Sequence, residues 1–281
     1  MTLQLQISHT TGFMYEGGAV ASYNEARMTP VTAPGQFVLS SRLDVTPSPH
    51  SFKYLDYWGA MVTAFEVAEA HDELLVHATS VVQVNRMPPR PAGLSWEQLA
   101  DPDTADRWCE YLAVGDRVRP SDDLVTLVAE LRESAATPSD LAPMVCEFVR
   151  NEVEYEVGST EVNGTAEQAW ENRRGVCQDL VHLAIGALRT SGVPARYVSG
   201  YLHPVADPVI GETVTGESHA WLEWWDGQWI GFDPTNLRTP DDHYVVVAAG
   251  RDYADVAPLT GIFSGVDTSS MFVEVSVTRL A

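Results

Sequence analysis

Cys177 follows Gly175-Val176 and stands at the head of an apolar run, Val176 to Leu188, that stops at Ser191-Gly192. The length of the run and its glycine stop predict a buried helix. Cys177 then falls in the first turn, where unpaired backbone N–H groups and the positive end of the helix dipole favour a thiolate. A thiol nucleophile needs a base that takes its proton and returns it to the leaving group, and that base needs an orienting partner. His219 and Asp233 supply both. The predicted strands on which they lie, ending at Trp225 and starting at Gln228, flank Asp226-Gly227, a hairpin-turn pair. Pairing about that turn sets Asp233 opposite Leu222 or Trp221, close to His219. A thiol, an imidazole and a carboxylate so arranged can carry out acyl transfer through a thioester.

The other thiols read differently. Cys109 and Cys146 fall inside amphipathic helical stretches and are expected in packed faces. His182, five residues after Cys177 in the same helix, reads as a core histidine. A metal site built from Cys177, His182 and His219 lacks zinc-motif spacing, so neither metal nor other cofactor is expected. Three cysteines cannot all pair within one chain and no CxxC occurs, which argues against a disulfide framework. A reducing, cytoplasmic compartment is the simpler expectation. The N-terminal MTLQLQISHTTGFMYEGG lacks the basic start and continuous apolar stretch of a secretory signal, and no stretch approaches 18 uninterrupted apolar residues.

Composition narrows the partners. Against 39 acidic residues stand 17 basic ones, a net charge of −22 over 281 residues, so the mean field repels phosphate backbones and anionic lipid. Nucleic-acid and membrane-surface roles are excluded on that ground. Lys53 is the only lysine, which leaves Schiff-base chemistry a single candidate outside any Gly-rich loop.

Four elements must position the site: a helix for the thiol, two strands for the base and acid, and a core beneath them. Leu124, Leu127, Val128 and Leu131 give one helical stripe, and Pro138-Ser139-Asp140 opens a second helix with Leu141, Val145, Phe148 and Val149 on one face. Ser95 with Gln98 has capping-box spacing. Strands are expected at Ala195 to Leu202, Tyr244 to Ala249 and Met271 to Leu280. Before them, Leu3 to Val84 alternates apolar and polar residues, with turns expected at Gly17-Gly18, Pro30, Pro34-Gly35, Pro47, Pro49 and Gly59. The chain is thus expected to be α+β: an all-β, sandwich-like N-terminal domain over 1–85, a Pro-rich linker over 86–94, and an α+β domain with an antiparallel sheet over 95–281.

The blocks GVCQD, SHAW and FDPT, with the turn at Pro194-Ala195-Arg196, resemble the core of the transglutaminase-like superfamily, papain-related thiol enzymes, over about Tyr155 to Asn236. HTTGFMYEGG and SYNEARMTP are similar to the β domain that precedes this core in bacterial members, and VVVAAGRDYADVAPLTGIFSG resembles the segment that closes it. The resemblance implies Cys177 as nucleophile, His219 as base and Asp233 as its orienting carboxylate. For the oxyanion hole it implies an aromatic or amide side chain upstream, with Trp170, Tyr155 and Gln168 all available beside the Cys177 N–H. Asp179 follows the nucleophile as in the family, or caps the helix. Arg173, Arg174 and Trp221 are candidate substrate-binding residues; the alternatives are paired arginines and a core tryptophan. The expected partner is a peptide or protein amide. A non-catalytic binding or scaffolding protein that keeps the fold is the alternative.

Overall fold

The computed structural model describes residues 2–160, 162–265 and 269–281. The alternating N-terminal region forms β1 (Leu3–Thr29), β2 (Gln36–Thr46), β3 (His50–Leu55), β4 (Met61–Val67) and β5 (His71–Val84). Leu3, Leu5 and Ile7 are buried at every second position, the period that a half-buried strand requires. One expected turn is absent: β1 runs straight through Gly17-Gly18, both at positive φ (79° and 80°). The pairing with β5 jumps there from Met14 opposite Glu73 to Ala19 opposite His71. Glycine adopts this backbone without a Cβ penalty, so the pair absorbs a bulge instead of ending the strand.

Helices follow: α1 (Trp96–Leu99), α2 (Pro102–Arg107), α3 (Cys109–Leu112), α4 (Asp122–Ser134) and α5 (Pro138–Glu152), then the short β6 (Glu154–Tyr155), α6 (Ala166–Asn172), β7 (Arg174–Gly175) and α7 (Cys177–Thr190). Ser95 and Gln98 form the expected capping box on α1, and Thr137 with Asp140 forms another on α5. The remaining elements are β8 (Ala195–Leu202), β9 (Thr213–Trp225), β10 (Trp229–Phe232), β11 (Tyr244–Gly250), α8 (Tyr253–Val256), β12 (Leu259–Gly265) and β13 (Ser269–Arg279).

The fold is α+β. Its strands form a large curled antiparallel sheet in the order β11-β8-β9-β13-β1-β4-β3, with β10 on β9, β12 and β5 on β1, and β2 on β5. The first half of β1 pairs with β13 and β5 and the second half with β12 and β4, around a small core of Tyr15, Met28, Phe65, Leu74 and Val76. β13 lies between β1 and β9, so the last strand ties the N-terminal strands to the strand that carries His219. No helix among the described residues is long and apolar enough to cross a membrane.

α7 is the centre of the main core. Residues Leu180 to Leu188 are buried all round, against α5, α6 and the β8-β9 pair, as expected of a helix with apolar residues on every face. Gly186 admits the segment before α4, since a Cβ there would collide with the Val118 carbonyl oxygen. The β9-β10 hairpin is fixed from outside by buried Asp226, which accepts hydrogen bonds from the Gly93 and Leu94 N–H groups and the Ser139 hydroxyl. The core thereby holds the two carriers of the site, the start of α7 and the β9-β10 hairpin, in fixed relation.

Candidate active site

The structure brings Cys177, His219 and Asp233 together. Phe232 pairs with Leu222, so Asp233 leaves β10 level with Trp221, two residues from His219, as the hairpin reading expected. His219 Nε2 lies 2.7 Å from Asp233 Oδ2, and the Cys177 thiol is near enough to the same imidazole to help raise its pKa. His219 is 8% exposed and Asp233 is fully buried, whereas Cys177 is half-buried, so the thiol is the member that a substrate can reach. Burial alone would lower the His219 pKa, but Asp233 and then Cys177 outweigh it and raise it to about 10. Burial would raise the Asp233 pKa, yet the bonds from His219, Tyr244 and Asn236 hold it below the usual carboxylate range. The imidazole therefore keeps its proton beside the thiol at neutral pH.

Asp233 is held on all sides. Oδ2 also accepts from the Tyr244 hydroxyl (2.7 Å) and Asn236 Nδ2 (2.7 Å), and Oδ1 accepts from the Thr235 and Asn236 backbone N–H groups. Arg238 Nε donates to the Tyr244 hydroxyl at 2.8 Å. Sequence reasoning missed Tyr244, Asn236 and Arg238. The FDPTN block held a signal for Asn236 alone, because an Asx turn from Asp233 to the Thr235 N–H brings the Asn236 amide back toward the same carboxylate.

The start of α7 is also built for its place. Asp179, fully buried, accepts from the Val176 N–H (2.8 Å) and the Thr160 hydroxyl (2.6 Å) through Oδ2. It is the cap of α7, and it takes the Val176 N–H and not that of Cys177 in the first turn. A Cβ on Gly175 would lie 2.7 Å from that of Asp179, so the glycine of GVCQD admits the capping carboxylate. β6 runs parallel to β7 with Tyr155 opposite Gly175, which sets Tyr155 level with the turn that leads into the nucleophile. Burial, then the nearby Cys177, Glu217 and Asp233, push its pKa up to about 12.

The other residues singled out from sequence divide clearly. Trp170 is buried, and its indole N–H donates to Asp123 Oδ2 at 2.8 Å. Gln168 closes the cap of α6 with Thr165. Arg173, in left-handed backbone (φ 53°), pairs with Glu152 and stacks on Trp170 at 3.6 Å. Arg174 pairs with Glu156 at 3.0 Å. Trp221 is fully buried, against His219 and Tyr244, and so backs the site instead of lining its opening. His182 is a buried core histidine: its Nε2 accepts from the Tyr253 N–H, and burial holds its pKa down to about 3. Cys146 is buried, and burial raises its pKa. Cys109 departs from expectation: it is exposed, in a one-turn α3, because the stretch that reads as one amphipathic helix breaks at Trp108. Among the described residues no group of three His, Cys, Asp or Glu side chains is placed to hold a metal ion.

A thiol at a helix start, with an Asp-held histidine from an antiparallel sheet, defines a papain-like class of site. Residues 125–234 match the transglutaminase-like superfamily core and residues 5–83 the bacterial transglutaminase-like N-terminal region. An uncharacterized protein of Mycobacterium leprae is 40% identical over 278 residues, with 99% of each chain covered. One from Mycobacterium tuberculosis is 32% identical, with 98% of this chain and 92% of the other covered. A protein-glutamine gamma-glutamyltransferase of Pseudomonas aeruginosa is 29% identical over 124 residues, 41% of this chain and 18% of its own length. Among solved structures, a Cytophaga hutchinsonii protein provisionally assigned as a cysteine protease superposes with a TM-score of 0.79 at 23% identity, covering 100% of this chain and 92% of that one. The chain belongs to the transglutaminase-like superfamily.

Proposed function

We propose that the protein is a thiol-dependent acyltransferase or hydrolase that acts on the carboxamide or backbone amide of a peptide. The observation that carries this reading is the placement of His219 between the half-buried Cys177 thiol and the buried Asp233 carboxylate, 2.7 Å from Nε2. The Cys177 sulfur attacks the amide carbonyl, and His219, protonated at neutral pH, gives its proton to the departing amine as the C–N bond breaks. The resulting thioester is attacked by an amine or water, whose proton His219 takes, and the Cys177 sulfur leaves. Asp233 keeps the ring oriented and stabilises its charge.

The Cys177 N–H is the first oxyanion donor in this reading. Tyr155 is the second, because it stands opposite Gly175 beside the nucleophile's turn, whereas the Trp170 N–H is given to Asp123 and Gln168 is tethered to the α6 cap through its side-chain oxygen. Its raised pKa keeps the phenol a donor at neutral pH. The name of the glutamyltransferase relative supports the class without choosing the acceptor. For a chain with free cysteines, which fits the reducing cytoplasm, we favour hydrolysis or transfer on a peptide-like amide over protein crosslinking. Release of ammonia or amine from a panel of glutamine-containing peptides tests the reading. Cys177→Ala should abolish release, and Tyr155→Phe should lower kcat by about 10²-fold with KM little changed. Retained turnover in Cys177→Ala would refute the covalent route, and a native protein that binds the peptides without turning any of them over would favour the binding role.

A further inference from the structure

β9 is flanked by β8 from Glu217 to Trp224, but on its other edge β13 pairs only as far as Gly216 and β10 joins only at Leu222. His219 lies inside the interval between them. Glu217 opens the same interval. Two positions from His219, it shares that residue's strand face, about 7 Å along the strand, and its side chain is exposed. Burial, then the nearby Cys177, Glu217 and Asp233, raise the Tyr155 pKa, which agrees with a Glu217 carboxylate on the side of the sheet where the thiol lies.

Among the described residues no cation neutralises Glu217. The guanidiniums around the site are engaged elsewhere: Arg173 with Glu152, Arg174 with Glu156, Arg150 with the Thr235 carbonyl and Arg238 with Tyr244. The rim on the His219 side is therefore anionic, beyond the general charge of the chain.

We propose that Glu217 determines specificity, by selecting substrates that carry a fixed positive charge about two residues from the reacting amide. This deepens the reading of Cys177 as a reactive thiol and rests on it. The charge belongs to a lysine or arginine side chain of the acyl donor or leaving segment. It does not belong to the attacking amine, because a carboxylate would favour the ammonium form, which has no lone pair to attack with. The spacing follows from the strand rise, since an extended substrate covers the ~7 Å from His219 to Glu217 in two residues.

Three methanethiosulfonates test this without a known substrate: one bearing trimethylammonioethyl, one sulfonatoethyl and one a plain methyl group. Their rates of reaction with Cys177 are read by peptide mapping in the full chain. A carboxylate ~7 Å from a monovalent reagent in water-like surroundings changes each charged rate by roughly threefold. The ratio of cationic to anionic rates should thus fall about five- to tenfold in Glu217→Gln, reverse further in Glu217→Arg, and lose its dependence on Glu217 in 0.5 M salt. The neutral reagent should react alike in all three proteins. Glu133→Gln, which removes the same charge from exposed α4, should leave the ratio unchanged. An unaltered ratio in Glu217→Gln with a reactive thiol would overturn the inference alone, as would an equal fall in Glu133→Gln. A Cys177 inert to all three reagents would overturn the thiol reading and the inference together.

Discussion

Replacing Asp233 with Asn should leave the shape of the site intact and remove its proton. Both carboxylate oxygens are acceptors: Oδ1 takes two backbone N–H groups, and Oδ2 takes Tyr244, Asn236 and His219. An amide has one acceptor oxygen. With that oxygen at the Oδ1 position, its NH2 faces three donors, and His219 can bond to it only as a neutral ring that accepts at Nε2. With the oxygen at the Oδ2 position, the NH2 faces the Thr235 and Asn236 N–H groups. In either pose His219 loses its anionic partner, and burial, which disfavours the charged ring, is no longer outweighed by the remaining Cys177 contribution. Its pKa should fall from about 10 to 6.5 or below. At pH 7.5 the protonated fraction then drops from nearly all to about one tenth or less. Alkylation of Cys177 by iodoacetamide, read by peptide mapping from pH 5 to 10, should slow at least ~tenfold at pH 7.5, and turnover should fall by roughly 10²- to 10⁴-fold because the remaining tautomer is also wrong. An unchanged rate and pH profile in a folded Asp233→Asn protein would refute the coupling of the three residues.

Further outcomes follow from the same geometry. Tyr244→Phe removes the donor that joins Arg238 to Asp233; it should lower kcat several-fold with little change in KM and cost about 1–2 kcal/mol of stability in urea unfolding. The raised His219 pKa has a definite sign: its stabilising contribution is complete below pH 6.5 and is lost as pH climbs through about 10. The stability difference between the native protein and His219→Gln should therefore narrow over that window, and an NMR titration of the His219 ring should show no midpoint near 6.5. Changing Arg173 and Arg174 to Gln breaks three exposed ion pairs, each worth at most ~1 kcal/mol, and one stack on Trp170. Matched acidic and neutral amides should be affected equally, which steady-state kinetics would show.

Much of the site is legible in the chain because its parts are local. Cys177 reads as a helix start from the glycine before it and the apolar run after it. Asp233 reads as a neighbour of His219 because one short hairpin fixes the register between them. Tyr244 and Arg238 carried no such signal. Tyr244 reaches Asp233 from β11, which β8 and β9 separate from β10, and Arg238, bridged to Asp233 in the loop after β10, acts through the Tyr244 hydroxyl; alternation along a strand gives the face of a side chain but not its partner. The same limit explains the strands that read correctly but found unforeseen neighbours. Met271 to Leu280 falls within β13 and its flank as expected, yet its place between β1 and β9 depends on long-range pairing. At Gly17-Gly18 the local signal points to a turn, and the ladders with β5 and β13 before it and with β12 and β4 after it override it.

Direct capture of the acyl-enzyme tests the central claim. The protein is mixed with a glutamine-containing peptide, quenched in acid within one turnover, and its intact mass measured before and after hydroxylamine. The account predicts a mass gain equal to the peptide less ammonia, mapped to Cys177, removed by hydroxylamine and absent from Cys177→Ala. With a peptide shown to be turned over, a native protein that gains no such mass, or a Cys177→Ala protein that still gains it, would contradict the assignment of Cys177 as the nucleophile.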